Sequence, residues 1–282
     1  MGRVTSRRRV TRVTGAEVTV RPDTLAAEEP LEIRVAGKPL SITMRTPGHD
    51  FDLAAGFLVS EGVIRQSADI AGIRYCAGAT DDGANTYNVV DVVLAAGVPA
   101  PDPSLERNFY TTSSCGLCGK ASLDAVRTTA PWSVHDDPLR VDAAVVAELP
   151  NRLRAAQQIF SKTGGLHAAG LFSADGELLC LREDVGRHNA VDKVIGWAVR
   201  EGRLPLRGAQ LLVSGRASFE LVQKAVMAGI PLLAAVSAPS SLAADLAADS
   251  GLTLIGFLRG SSMNVYTGEH RLRLEGATLV RA

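Results

Sequence analysis

Residues 209–257 read AQLLVSGRASFELVQKAVMAGIPLLAAVSAPSSLAADLAADSGLTLIGF. Three short apolar runs, Ala209–Val213, Pro231–Val236 and Leu252–Phe257, alternate with two stretches at helical spacing, Phe219–Met227 and Leu242–Ala248. Strands separated by helices of this length imply crossover connections and parallel neighbours. The fold class follows: α/β (α+β), with a mixed, largely parallel sheet in the C-terminal part. Just upstream, Leu166–Phe172 and Glu177–Arg182 flank Ser173-Ala174-Asp175-Gly176 and read as a hairpin. An Asp184–Asn189 turn and a helix to about Arg200 follow it.

Further towards the N-terminus the pattern is mixed. Two helical stretches, Asp142–Leu149 and Arg152–Phe160, follow a connector at Pro131–Pro138. Val18–Arg21, Leu31–Val35, Leu40–Met44, Ile70–Tyr75 and Tyr87–Leu94 read as strands. Phe51, Leu53, Ala54, Phe57 and Leu58 recur at helical spacing between Asp50 and Gly62. The expected organisation is a disordered basic tail (1–15, with Arg7-Arg8-Arg9), a smaller α+β part (16–130) and the C-terminal α/β part (131–282).

Composition excludes several classes. The 30 basic and 30 acidic residues cancel, and aromatics make up only 5%, so a nucleic-acid-binding surface spread over the protein is not expected. No run reaches the roughly 20 apolar residues that cross a bilayer, and the chain is read as cytoplasmic. Cys76, Cys115, Cys118 and Cys180 are too few for a disulfide framework. Cys76 and Cys180 lie in strand-like runs and read as small buried residues.

Cys115-Gly116-Leu117-Cys118-Gly119-Lys120 is different, because small residues surround it between a β-prone run, Phe109–Thr112, and a helix-compatible one, Ala121–Arg127. A helix N-terminus and a lysine both favour the thiolate, the reactive form of cysteine in sulfur and metal chemistry. A tetrahedral zinc site would need two further ligands, and no second Cys or His pair exists, so no structural metal is expected. A thioredoxin-like dithiol site has the same strand, loop and helix order and stays open. The residues do not fit zinc deaminase chemistry, since Ser114 precedes the pair and His167 is followed by Ala168-Ala169 rather than x-Glu.

The loops expected beyond the three C-terminal strands form a second candidate site. They are Ser214-Gly215-Arg216-Ala217-Ser218, Ser237–Ser241 and Arg259-Gly260-Ser261-Ser262. Ligands of parallel α/β sheets bind at that edge, and small residues, hydroxyls and arginines suit phosphate. Capping by Ser218 and Ser241 accounts for individual serines but not for Arg216 and Arg259. The Asp184–Lys193 stretch reads on its own as a capped, solvated turn, with Asp192 and Lys193 on the outer face. His167 reads as a satisfied core histidine.

Ser114–Lys120, Gly165–Ala169, Arg182–Lys193, Ser214-Gly215-Arg216 and Gly256–Gly260 occur together and in order. With Met44–Gly48, Gly56-Phe57-Leu58 and Glu61-Gly62, they make the chain resemble the FdhD family of formate dehydrogenase accessory sulfurtransferases from about residue 30 to 268. The resemblance implies a cytidine deaminase-like fold and a homodimer. It implies a sulfurtransferase that takes sulfur from a cysteine desulfurase as a persulfide on Cys115, with Cys118 beside it. The acceptor would be molybdenum bis(molybdopterin guanine dinucleotide), destined for formate dehydrogenase. Phe257, Leu258, Arg259, Gly260, Ser261 and Ser262 match the family's cofactor-binding stretch. Ser214, Gly215, Arg216 and Ser240 join them on the strand-edge argument. A chaperone that holds the cofactor without moving sulfur is the alternative from another class.

Overall fold

The protein is described here from a computed structural model, which covers residues 4–76, 86–102 and 130–274. It opens with a hairpin of β1 (Thr5–Thr14) and β2 (Glu17–Ala26), paired in unbroken antiparallel register from Thr5↔Ala26 to Thr14↔Glu17. Residues 5–15, expected within a disordered tail, are therefore mostly strand. Val10, Thr11 and Val13 face Arg21, Val20 and Val18 across a turn at Gly15, whose φ of 60° suits glycine. A two-stranded ribbon has no buried face, so its arginines stay solvated and the stretch lacks the apolar alternation that marks a strand.

Strands β3 (Glu29–Val35), β4 (Lys38–Arg45), β5 (Ile70–Tyr75) and β6 (Val89–Leu94) form a four-stranded sheet in the order β4-β3-β6-β5. Leu31, Ile33 and Val35 alternate into its core with period 2. Helix α1 (Asp50–Ser60) follows β4 and is buried along nearly its whole length.

The C-terminal part holds β7 (Val141–Asp142), α2 (Ala143–Ala156), α3 (Phe160–Thr163), β8 (His167–Phe172), β9 (Leu178–Asp184) and α4 (Arg187–Arg200). Then come β10 (Gln210–Val213), α5 (Phe219–Met227), β11 (Leu232–Ala235), α6 (Ser241–Ser250), β12 (Thr253–Arg259), β13 (Ser262–Thr267) and β14 (Leu272–Arg273). The main sheet has the order β13-β12-β11-β10-β8-β9. Only β10, β11 and β12 are mutually parallel; β8, β9 and β13 run antiparallel to their neighbours. The sheet is mixed as expected but parallel only at its centre, because the tight turns after β8 and β12 reverse the chain directly. The two helices expected between 142 and 160 are instead one continuous α2 across Pro150. Val146, Leu149 and Leu153 share its buried face, and that burial holds the helix together where proline removes a backbone hydrogen bond.

Alternate residues of the central strands feed two cores. Leu211, Val213, Leu233 and Ala235 join α4, α5 and α6 on one face, while Leu212, Leu232, Ala234 and Ile255 join α2 on the other. The first core continues without a break into α1 and the four-stranded sheet. α1 crosses α4 at Gly56 and Gly196, where a Cβ on either would overlap the carbonyl of Asp192 or Asp52. The two parts thus meet backbone to backbone. Among the described residues no helix is long and apolar enough to cross a membrane.

Candidate functional site

Beyond their ends the three parallel strands keep their ladder going through the loops. Val236 N donates to Val213 O, Ser237 N to Gly215 O at 3.3 Å, Ala217 N to Ala238 O at 3.2 Å, Ser240 N to Ala217 O at 3.0 Å and Phe257 N to Ser237 O at 3.2 Å. Ser214-Gly215-Arg216, Ser237–Ser241 and Phe257–Gly260 therefore form one continuous rim. Strand β8 runs antiparallel beside β10, which brings His167 to the same rim, and β9 brings Asp184 opposite His167. Gly215 makes room for that histidine: a Cβ there would lie 3.3 Å from His167 Nδ1.

The sequence-predicted residues take different positions on this rim. Arg216, Ser240, Phe257, Arg259, Gly260, Ser261 and Ser262 are exposed, and Ser214 and Gly215 are half-buried. Leu258 is fully buried and faces the α2 core, so only its backbone is open to a ligand. Two hydroxyls already have work: Ser214 Oγ accepts from Ala168 N at 2.9 Å, and Ser240 Oγ caps α6 by accepting from Ala243 N at 3.2 Å. The cap of α6 is thus Ser240 rather than Ser241. Ser218 begins α5 without a capping bond, and its Oγ lies 3.3 Å from His188 Nε2. Cys115 and Cys118 lie outside the described residues.

Phe257 has a φ of 52°, left-handed backbone that a side chain adopts only at a cost of about 1–3 kcal/mol. It occupies an irregularity in the β12–β13 pairing between Gly256 and Arg259. The bulge turns its ring out of the pleat and leaves it 39% exposed.

Sequence reasoning missed the network behind the rim. Asp192 and Lys193, expected on an outer face, are buried. The fully buried Asp184 accepts from Thr46 N at 3.1 Å, Gly186 N at 2.8 Å and Asn189 Nδ2 at 3.0 Å, and pairs with Lys193 Nζ at 2.7 Å. Lys193 also donates to Thr46 O at 2.8 Å. Asp192 pairs with Lys224 at 2.8 Å and accepts from Ser60 Oγ at 2.7 Å. The Thr46 turn and the Asp184–Asn189 turn are locked together by charge-assisted bonds shielded from water.

At the rim end of α4, His188 Nε2 meets Glu220 Oε2 at 2.7 Å, joining the starts of α4 and α5. His167 has no hydrogen-bond partner among those described, contrary to its reading as a satisfied core histidine. Burial first, then Arg187 and His188, push its pKa below the usual histidine range, against Asp184. The imidazole is thus neutral near pH 7. Cys180 is buried in β9, and burial pushes its thiol up to about 11, which leaves it unreactive.

The FdhD/NarQ family profile matches residues 26–273. The chain belongs to that family. Relatives within it are named "Sulfur carrier protein FdhD": the one from Streptomyces avermitilis is 70% identical over 278 residues, covering 98% of this chain and 99% of its own. The Mycobacterium tuberculosis protein is 58% identical over 96% of this chain and 100% of its own. A crystal structure from Desulfotalea psychrophila, described as that of a candidate formate dehydrogenase accessory protein, shares the FdhD/NarQ fold with a TM-score of 0.73. It is 24% identical and covers 96% of this chain and 100% of its own. The FdhD/NarQ match spans both the rim and the buried network.

Proposed function

We propose that this protein is a sulfur carrier that serves formate dehydrogenase, accepting sulfur from a cysteine desulfurase as a persulfide on Cys115. The sulfur then passes to molybdenum bis(molybdopterin guanine dinucleotide), bound as the acceptor substrate on the rim. The observation that carries the reading is the full-length identity, up to 70%, to proteins named sulfur carriers. The rim supports it from chemistry: Arg216 and Arg259 are exposed cations beside small loops whose backbone approaches closely, a surface suited to a ligand with several phosphates. Phe257 offers that ligand an apolar ring surface. Cys180, buried and held protonated, is unsuited to carry sulfur, while Cys76, read from the sequence as buried, is half-buried just past β5. Lys120 beside the Cys115-Gly-Leu-Cys118 pair favours a reactive thiolate there, which makes that pair the better carrier.

The test is mass spectrometry after incubation with a cysteine desulfurase and cysteine. The peptide containing Cys115 gains one sulfur that a reductant removes, and a Cys115→Ala chain fails to activate formate dehydrogenase in cells. Sulfur found only on another cysteine, or full activation by Cys115→Ala, overturns the proposal. Equal and complete loss from Cys115→Ala and Cys118→Ala, with no added sulfur, favours dithiol redox chemistry.

A further inference from the structure

Only three aromatic side chains are exposed among the described residues, Tyr87, Phe257 and Tyr266, and two of them flank one glycine at the rim. Tyr266 lies on the edge strand β13, whose Asn264 and Val265 pair with Gly256 and Ile255. Its ring edge comes to 3.0 Å from where a Cβ of Gly256 would be, and the Pro239 ring comes to 2.7 Å of the same point. The missing side chain at Gly256 is therefore what lets the tyrosine and the proline close on the backbone there. Phe257 follows directly, turned outward by its left-handed backbone. Tyr266 is 41% exposed, and its hydroxyl takes no hydrogen bond among the described residues. Among the described residues nothing uses that ring fully: it covers a glycine, is 41% exposed and has an unpaired hydroxyl.

We propose that Tyr266 is a ring-recognising residue of the nucleotide site, forming with Phe257 a platform on which a purine base lies while its phosphates reach Arg216 and Arg259. The inference rests on the reading that the rim binds a nucleotide-bearing ligand, and it deepens that reading. A stacking surface beside exposed cations and close backbone is what a base attached to a pyrophosphate requires. Phosphates alone would need only the cations. An aromatic face also tolerates any base, so Tyr266 contributes affinity for the ring, and the choice among bases falls to polar groups elsewhere on the rim.

Calorimetry with GDP and with inorganic pyrophosphate as probes separates these contributions. Stacking of one base is lost when the ring is removed, so Tyr266→Leu binds GDP about tenfold more weakly. Pyrophosphate, which has no ring, binds the variant as it binds wild type, and Tyr266→Phe keeps wild-type GDP affinity because the face is retained. Unchanged GDP affinity in Tyr266→Leu, or a Tyr266→Phe variant as weak as Tyr266→Leu, overturns the inference while leaving the nucleotide reading intact. A wild-type protein that binds pyrophosphate but not GDP, or neither, overturns both. Should the leucine variant not fold, the upfield ring-current shift of guanine H8 on binding to wild type decides, and its absence overturns the inference.

Discussion

Replacing Lys193 with methionine tests whether the buried network holds the two halves of the protein together. Methionine keeps the length and apolar stem of lysine, so the change removes a charge and the two polar contacts it makes but little volume. The Lys193 ammonium is shared between Asp184 at 2.7 Å and Thr46 O at 2.8 Å, and both side chains of the ion pair are at most 2% exposed. Asp184 keeps its three neutral donors, Thr46 N, Gly186 N and Asn189 Nδ2, but becomes a buried carboxylate without a counter-charge. Breaking such a pair on one side costs about 3–5 kcal/mol, a large share of the ~5–15 kcal/mol that keeps a typical domain folded. Urea unfolding followed by circular dichroism and by tryptophan fluorescence measures the loss. Asp184→Asn combined with Lys193→Met removes the orphaned charge and restores at least about 1 kcal/mol of it, the signature of a coupled pair. A Lys193→Met protein within about 1 kcal/mol of wild type, with an unchanged denaturant slope, would refute the reasoning.

Two further outcomes follow from the titratable groups. Burial raises the Asp52 carboxyl, but hydrogen bonds from His49, Arg182 and Arg200 outweigh it and hold the group below its ordinary 3.8. A carboxyl depressed in the folded state stabilises fully above its unfolded pKa and loses that contribution as pH falls through the folded value. Stability measured from pH 5 down to about pH 2 therefore falls less steeply in Asp52→Asn than in wild type, although the variant is weaker at pH 7; parallel acid profiles would count against the assignment. Cys180, with its thiol near 11 and its side chain in the core, stays unlabelled by iodoacetamide at pH 8 in the native protein and reacts only after unfolding, as peptide mapping can show; rapid native labelling would contradict its burial.

Where local pattern and tertiary role coincide, the sequence was legible. The runs from Ala209 to Phe257 show their elements because each strand is mostly apolar and the stretches between them keep helical spacing. The positions of the rim loops were legible for the same reason, since they follow the ends of those three strands. Lys193 and Asp192 were misread because their partners are remote: Lys224 is 32 positions beyond Asp192, and Thr46 lies 147 before Lys193. No local signal marked them, for Asn189, Asp192, Lys193 and Arg200 fall on one side of α4 at helical spacing, the pattern that a solvated polar face would also give. Strand β13 escaped notice because five of its six residues are polar or stand exposed at a sheet edge, and with it went Tyr266. His167 and Gly215 are brought together only by the antiparallel pairing of β8 with β10, which no local spacing reveals.

The cost of the left-handed backbone at Phe257 explains why the rim is built as it is. A conformation that costs about 1–3 kcal/mol persists only where its surroundings leave no alternative. Here Phe257 N is held by Ser237 O, Ser237 N by Gly215 O, and Ala217 is bound on both sides by Ala238 O and Ser240 N. Each loop is thus fixed by the next, and the outermost carries the strained aromatic. A ring presented this way is ordered before any ligand arrives, so binding does not have to fix it, and affinity that would otherwise go into ordering the loop is kept. The same reasoning gives Ser214 its place: its hydroxyl oxygen accepts from Ala168 N and ties the first loop to β8. Rim residues that look like ligand donors by composition therefore divide in two, those that build the edge and those, chiefly Arg216, Phe257 and Arg259, that the finished edge presents to solvent.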